Sequence, residues 1–319
     1  MLMEVLEIAD LLDDPRVDGY VVREVLSKVV AQTNTASIEV SRVEGSQGYT
    51  DFVKIVVRGV NGRSRGGGAP TIGIIGRLGG IGARPAQIGL VSDADGAIAC
   101  LSAALKLLKM QARGDFLQGD VILATHVCPR APVIPHEPVP LMGSPVDMGT
   151  MNRYEVDSAM EAILSIDTTR GNRILNHKGI AITPTVKEGW ILRPWPELLD
   201  VYEWVTGEPP VILPLSMGDI TPYGNGVYHI NSIVQPATVT KAPVVGVAIT
   251  AKTVVPGSAT GANHEVDIAL AARFVLEVAK KFTEGQLRFY DETEFARLVT
   301  RYGPMNILQT LGKDGENVS

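Results

Sequence analysis

Cysteine is nearly missing from this chain: Cys100 and Cys128 are the only two in 319 residues. Neither belongs to a CxxC pair, which excludes a cysteine zinc knuckle and a disulfide-stapled fold. Aromatic residues make up 5% of the sequence, and no lysine and arginine cluster is interleaved with them, so nucleic acid is not an expected partner. A formal net charge of −6 points the same way and argues against an anionic membrane surface. No apolar run approaches membrane-spanning length. The opening MLMEVLEIADLLDD carries acids and no basic region, so it does not read as a signal peptide. The expected location is the cytoplasm.

What is present is the composition of a globular chain, 45% hydrophobic and 20% charged. Helical spacing of apolar residues marks Val5 to Leu12 and Tyr20 to Ala31, and Ser37 to Val43 and Asp51 to Val60 have the β-branched content of strands. Thr71 to Ile75, Asp120 to Thr125 and Pro243 to Ile249 are short apolar runs of the kind buried on both faces of a sheet. Ala97 to Met110 is a long apolar helix, and a second helix opens at His264-Glu265-Val266-Asp267. Ser158 to Leu164 reads as a short helix, Gly179 to Thr183 and Val211 to Leu215 as strands, and Leu198 to Val205 and Asp291 to Tyr302 as helices.

Strands alternating with helices predict an α/β fold. The sheet is expected to be mixed and largely parallel, with helices on both faces in an α/β/α three-layer sandwich. One domain is expected over residues 1–312, with a proline-rich loop at 128–145 and a flexible tail at 313–319. In such a sheet ligands sit at the carboxyl ends of the strands. Asp93, His126, Asp167, Asp219 and His264 all fall shortly after expected buried strands, and Asn225 and His229 lie in the turn-rich segment that follows Asp219. That coincidence is the residue-level evidence for a cleft.

Each of these residues also has a purely structural reading. Asp93 and Asp95 suit the N-terminal turn of a helix, and Glu265 and Asp267 suit the dipole of another. His126 fits a hydrogen-bonded core histidine, and His136-Glu137 fits the surface of a proline loop. Arg77 fits a buried ion pair with Asp93 or Asp167. The glycines at 76, 79, 80 and 82 permit close backbone approach to a ligand, but the spacing is neither GxGxxG nor GK[ST], so a nucleotide loop is the weakest reading.

The order TIGIIG, SDADGAIACLSAALKLL, DVILATH, AILSID and GANHEVD resembles that of the co-catalytic zinc exopeptidases, the aminopeptidases and related deacylases and carboxypeptidases. The likeness spans nearly the whole chain, which also resembles a domain-of-unknown-function family with the same chain order. The resemblance implies a zinc-exopeptidase-like, phosphorylase/hydrolase-like fold, with Asp93 as the bridging carboxylate and Asp167 as the later aspartate ligand. The chain departs from the pattern twice. Arg77-Leu78-Gly79 stands where the family has His-x-Asp, and Thr125-His126 stands where it has paired glutamates. Two functions follow as expectations. One is an amide or peptide hydrolase using zinc or another divalent metal on Asp93, His126, Asp167 and His264, with Asp95 or Glu137 as the base. The other needs no cofactor: an inactive homologue binds a small carboxylate-bearing peptide or amino-acid derivative through Arg77, Gly79, Gly80, Asp219, Asn225 and His229. A homo-oligomer is expected in either case.

Overall fold

The computed structural model describes residues 1–31, 34–77, 90–135, 141–254 and 263–313. Two helices, α1 (Leu2–Asp13) and α2 (Gly19–Val30), precede the hairpin β1 (Ala36–Gly45) and β2 (Gly48–Val57). Then come β3 (Ile72–Gly76), α3 (Asp95–Gln111), β4 (Val121–Val127) and the short pair β5 (Val133–Ile134) and β6 (Leu141–Met142). After α4 (Met148–Glu155) and β7 (Ala162–Thr169) follow β8 (Gly179–Ile182), β9 (Thr185–Lys187), β10 (Trp190–Leu192) and α5 (Pro196–Thr206). The last elements are β11 (Val244–Thr250), α6 (Glu265–Thr283) and α7 (Glu292–Tyr302).

Nine strands form one sheet, in the order β1-β2-β4-β3-β7-β11-β9-β10, with β8 also against β11. The centre, β4-β3-β7-β11, is parallel, and every residue of these strands up to Asp167 and through β11 is buried. Burial on both faces is why they read as apolar runs instead of alternating. The flanking strands are antiparallel, so the fold is the mixed α/β arrangement expected from the sequence. From β3 the chain steps to β4 on one side, then returns past β3 to β7 on the other. The strand order therefore reverses at β3, and the crevice at its carboxyl end is the place such sheets use for ligands.

The two faces are covered unequally. Ile72, Ile74, Leu123, Leu164, Ile166, Val245 and Val247 meet α1, α2, α3, α5 and α6 in the larger core. Ile75, Ile122, Ile163 and Ala248 point the other way, under Met160 and a 3-10 helix, Ser232–Thr238, that supplies Ile233, Val234 and Ala237. Helix α3 is buried almost throughout. Its small residues bring it against the sheet so closely that the Cys100 thiol reaches the Ile74 and Ala124 carbonyls at 3.6 and 3.5 Å. Burial pushes that thiol up to about 12, so Cys100 is an inert core residue.

Two expected elements differ. The stretch Ser158 to Leu164 is not helical: residues from Ala162 belong to β7, and the helix lies upstream as α4, started by Asp147, whose carboxylate accepts from the Thr150 N–H at 2.8 Å. Apolar residues buried on both sides made a central strand resemble a helix face. Val211 to Leu215 contributes only an isolated bridge from Ile212 to Ile182, since Pro209, Pro210 and Pro214 remove the donors a ladder needs. The C-terminal tail beyond Lys313 lies outside the described residues.

Gly96, in the first turn of α3, touches the crevice floor: a Cβ there would meet the Arg77 and Ile166 carbonyl oxygens at 2.7 Å. Gly96→Ala should therefore push α3 off β3 and β7 and cost roughly 1–3 kcal/mol, as overpacking does. Urea unfolding of the variant beside the parent checks this.

Candidate functional site

The register of the central strands sets the site. Gly76 of β3 pairs with Thr125 of β4 and with Ile166 of β7. The next residue on each strand is Arg77, His126 and Asp167, so these three stand side by side at the carboxyl edge. Phe52 of β2 opposite His126, and Ala248 of β11 opposite Asp167, continue the row. The two-residue period of a strand puts the whole row on the thinly covered face, with Ile75 and Ile122. The Arg77 N–H donates to the Ile166 carbonyl at 2.7 Å, which fixes the row's middle.

Helix α4 supplies the partners. Met148, Asn152 and Glu155 are spaced four and three apart, so they share one helix face. Arg77 Nη1 donates to Glu155 Oε2 at 2.5 Å and to Asn152 Oδ1 at 3.0 Å, while Nη2 lies against the Met148 sulfur. The other Glu155 oxygen meets His126 Nδ1 at 2.8 Å. Arg77 and Glu155 are both 0% exposed, and Arg77 is the largest fully buried side chain among the described residues. Phe52 tilts against His126 and stacks on Tyr154 at 4.6 Å, closing this end from water.

Asp167 and Asp95 hold buried carboxyls beside this lattice. Asp167 accepts from Ser232 Oγ at 2.9 Å and from the Thr168 N–H at 2.7 Å. Burial pushes it up to about 6, against the pull of Ser232 and Arg77. Asp95 accepts from Arg170 Nη2 at 3.1 Å and from Asn263 Nδ2 at 2.5 Å. Burial pushes it up to about 7, although Arg170 and Asn263 pull it down. Desolvation outweighs the neighbouring cations at both sites.

Above Asp167 runs the loop from Ser216 to Asn231, tied by one carboxylate. Asp219 accepts from the Ser216, Ile230 and Asn231 N–H groups at 2.7, 2.8 and 2.8 Å, and from Ser216 Oγ at 2.8 Å. Burial opposes its charge, but the donors from Ser216, Asn231 and Ile230 win and hold it below the usual carboxylate range. Asn225 caps a local turn by accepting from the Val227 N–H at 2.9 Å. His229 is held on Thr221 and stacks under Tyr223 at 4.3 Å. Burial, then the carboxylates of Asp167 and Asp219, raise the Tyr223 hydroxyl above its usual value.

The residues singled out in the sequence thus fall into separate places. Arg77, His126 and Asp167 form the row, with Glu155 as the acid that Arg77 pairs with. Asp219, Asn225 and His229 shape the overhanging loop. Asp93 is half-buried in the 3-10 turn before α3, Asp95 opens α3, and His264 is the exposed N-cap residue of α6. Gly79, Gly80 and Glu137 lie outside the described residues. Glu155, Asn152, Ser232, Tyr223 and Arg170 were not singled out; the four-and-three spacing of Met148, Asn152 and Glu155 was the one signal on offer.

The donors among the described residues do not fit a two-metal centre. Among the described residues no three His, Cys, Asp or Glu side chains group to hold a metal ion. A guanidinium occupies the middle of the row, its positive charge is permanent, and His126 and Glu155 are bonded to each other.

Residues 41–312 match the family described as protein of unknown function, DUF1177. This chain belongs to that family. No curated protein matches it. Among solved structures, a mutant leucine aminopeptidase from tomato is similar at 13% identity with a TM-score of 0.48. The match covers 86% of this chain, and the chain spans only 60% of that enzyme. No helix among the described residues is long and apolar enough to cross a membrane.

Two outcomes follow from these charges. Glu155→Gln leaves the buried Arg77 without its counter-charge and should cost roughly 3–5 kcal/mol, whereas Arg77→Met with Glu155→Leu should cost much less, because it removes both ions. Denaturant unfolding of both variants distinguishes them. Asp95 and Asp167 have folded values above those of an unfolded carboxylate, so their contribution is complete at low pH and is lost as pH rises through about 6 and 7. Groups held low, such as Asp157 and Glu161, act in the opposite sense and only below that window. Stability should fall between about pH 5 and 7 and level off above, and Asp95→Asn should flatten that fall in melting curves taken across the range.

Proposed function

We propose that this chain is a binding protein for a small carboxylate-bearing peptide or amino-acid derivative, held in the crevice at the carboxyl edge of β3 and β7. The observation that carries this reading is the Arg77 guanidinium, wholly buried between Glu155 with His126 on one side and Asp167 on the other. It supplies the positive charge that a metal would bring, and it cannot be removed by pH. A dication beside it would meet repulsion in a medium where charges act strongly. Arg77 does not itself touch a ligand. It sets the polarity of the crevice floor, while Tyr223 and Ser232 face the opening.

The competing reading is a metal-dependent amide hydrolase with zinc or another divalent ion on Asp93, Asp167 and His126 or His264. It draws support from the surplus of buried carboxyls, since a cation would relieve Asp167. It also requires His126 to leave Glu155.

Elemental analysis of untagged, chelator-free protein separates the two. The binding reading expects no stoichiometric metal, and melting points that rise by about a few degrees with saturating N-acyl amino acids and not with their amides. Zinc, manganese or cobalt near one or two per chain, lost in Asp93→Ala with Asp167→Ala, would establish the hydrolase instead.

A further inference from the structure

Arg170 lies three residues beyond Asp167, where β7 has just ended, and it has more donors than partners. One nitrogen, Nη2, reaches Asp95 at 3.1 Å. Its Nε and Nη1 are buried and have no hydrogen-bond partner among the described residues. The side chain as a whole is 13% exposed. A buried guanidinium with unmatched N–H groups carries a desolvation penalty that an incoming anion removes.

Other basic side chains lie near it. Asp267, in the first turn of α6, is within electrostatic reach of Lys178, His264, His177 and Arg170. Lys178 is exposed and His177 half-buried, on the segment that leads into β8. Gly179, at φ +120°, turns that segment so that His177 Nε2 packs beside it, with Leu270 of α6 next to it. Burial raises Asp267 as it raises Asp95. The two long helices α3 and α6 both begin here, and their N-terminal dipole ends favour an anion.

We infer that Arg170, with Lys178 and His177 beside it, is the carboxylate anchor of the crevice. The ligand's carboxylate takes the unmatched nitrogens of Arg170, with Lys178 at its solvent side, and the rest of the ligand extends toward Ser232 and Tyr223. This rests on the binding reading above and names the end of the crevice that holds the charge. An acyl amino acid or short peptide with a free terminal carboxylate fits; the same molecule as an amide does not, since it offers no negative charge to a desolvated guanidinium.

Calorimetric titration with acetyl-dialanine, its C-terminal amide and inorganic phosphate tests the assignment. The acid should bind and the amide should not. Arg170→Gln should weaken the acid by about tenfold or more, as loss of a charge-assisted hydrogen bond implies. Lys178→Gln, at an exposed position, should weaken it by about threefold and reduce its salt dependence. Arg170→Lys keeps the charge beside Asp95 and serves if the glutamine variant does not fold; it should bind the acid more weakly than the parent because it lacks the planar fork. Unchanged affinity for the acid in the folded Arg170 variants overturns the anchor and leaves the binding reading standing. Equal binding of acid and amide by the parent overturns the anchor and the carboxylate reading together. Binding of phosphate alone, lost with Arg170, keeps the anchor and overturns the carboxylate reading. Absence of binding by all three overturns both.

Discussion

A guanidinium that never loses its charge has been taken wholly out of water at Arg77, and the surrounding architecture answers that constraint. The penalty for such an ion is several kcal/mol unless geometry and hydrogen bonding are both good. Helix α4 meets the requirement by presenting Glu155 and Asn152 from one face, and β4 meets it by placing His126 on the second Glu155 oxygen. Asn152 is held in turn by Thr238, from the 3-10 helix, at 3.3 Å. The thin layer on this face is therefore fastened to the sheet by a polar network as well as by the small apolar cluster around Ile75 and Ile163. Such networks specify one arrangement because every partial arrangement leaves a buried charge unmatched.

The same constraint organises the crevice. With Arg77 committed to Glu155, Asp167 has only a distant share of that cation and relies on Ser232 and the Thr168 N–H. Asp95 depends likewise on Arg170 and Asn263. Two buried carboxyls held near neutrality give the edge a charge that varies with pH, set against guanidinium charges that do not. Asp219 behaves differently although it too is inside. Its donors are backbone N–H groups of its own loop, which cannot move away without opening the loop, and they keep it ionised. One carboxyl closes a loop and the others remain available to respond.

Much of the fold was legible because two-sided burial writes itself as apolar runs: IGIIG, VILAT and VVGVAI could be little else. Helix α3 was legible for the same reason. Helix α4 was not, since its buried face carries Met148, Asn152 and Glu155, a mixture that resembles a solvent-facing turn unless Arg77 is known to lie opposite. His126 was expected just past a strand and lies inside β4, where its partner decides its role. Asp93, Asp95 and Asp167 could be placed at junctions from element order alone. The pairing of Arg77 with Glu155 joins residues 78 positions apart and depends on sheet register, which a single sequence does not state. Arg170 was passed over because a lone arginine after a strand carries no local pattern; only its unmatched nitrogens distinguish it.

An arginine in the middle of the row imposes a different geometry from a metal ion. A metal site needs donors that are deprotonated and converge, and it can be emptied or refilled. A guanidinium needs acceptors around a plane, and it is always present. Glu155 and Asn152 are placed for the plane. Their positions on α4 serve the arginine and would leave a metal without convergent donors. The row at the carboxyl edge thus contains a permanent internal cation. Beside the row stand Ser232, bonded to Asp167, and Arg170, whose Nε and Nη1 are buried without a hydrogen-bond partner among the described residues. An unmatched buried guanidinium favours an anionic partner, and that is the chemistry the proposed carboxylate ligand would supply.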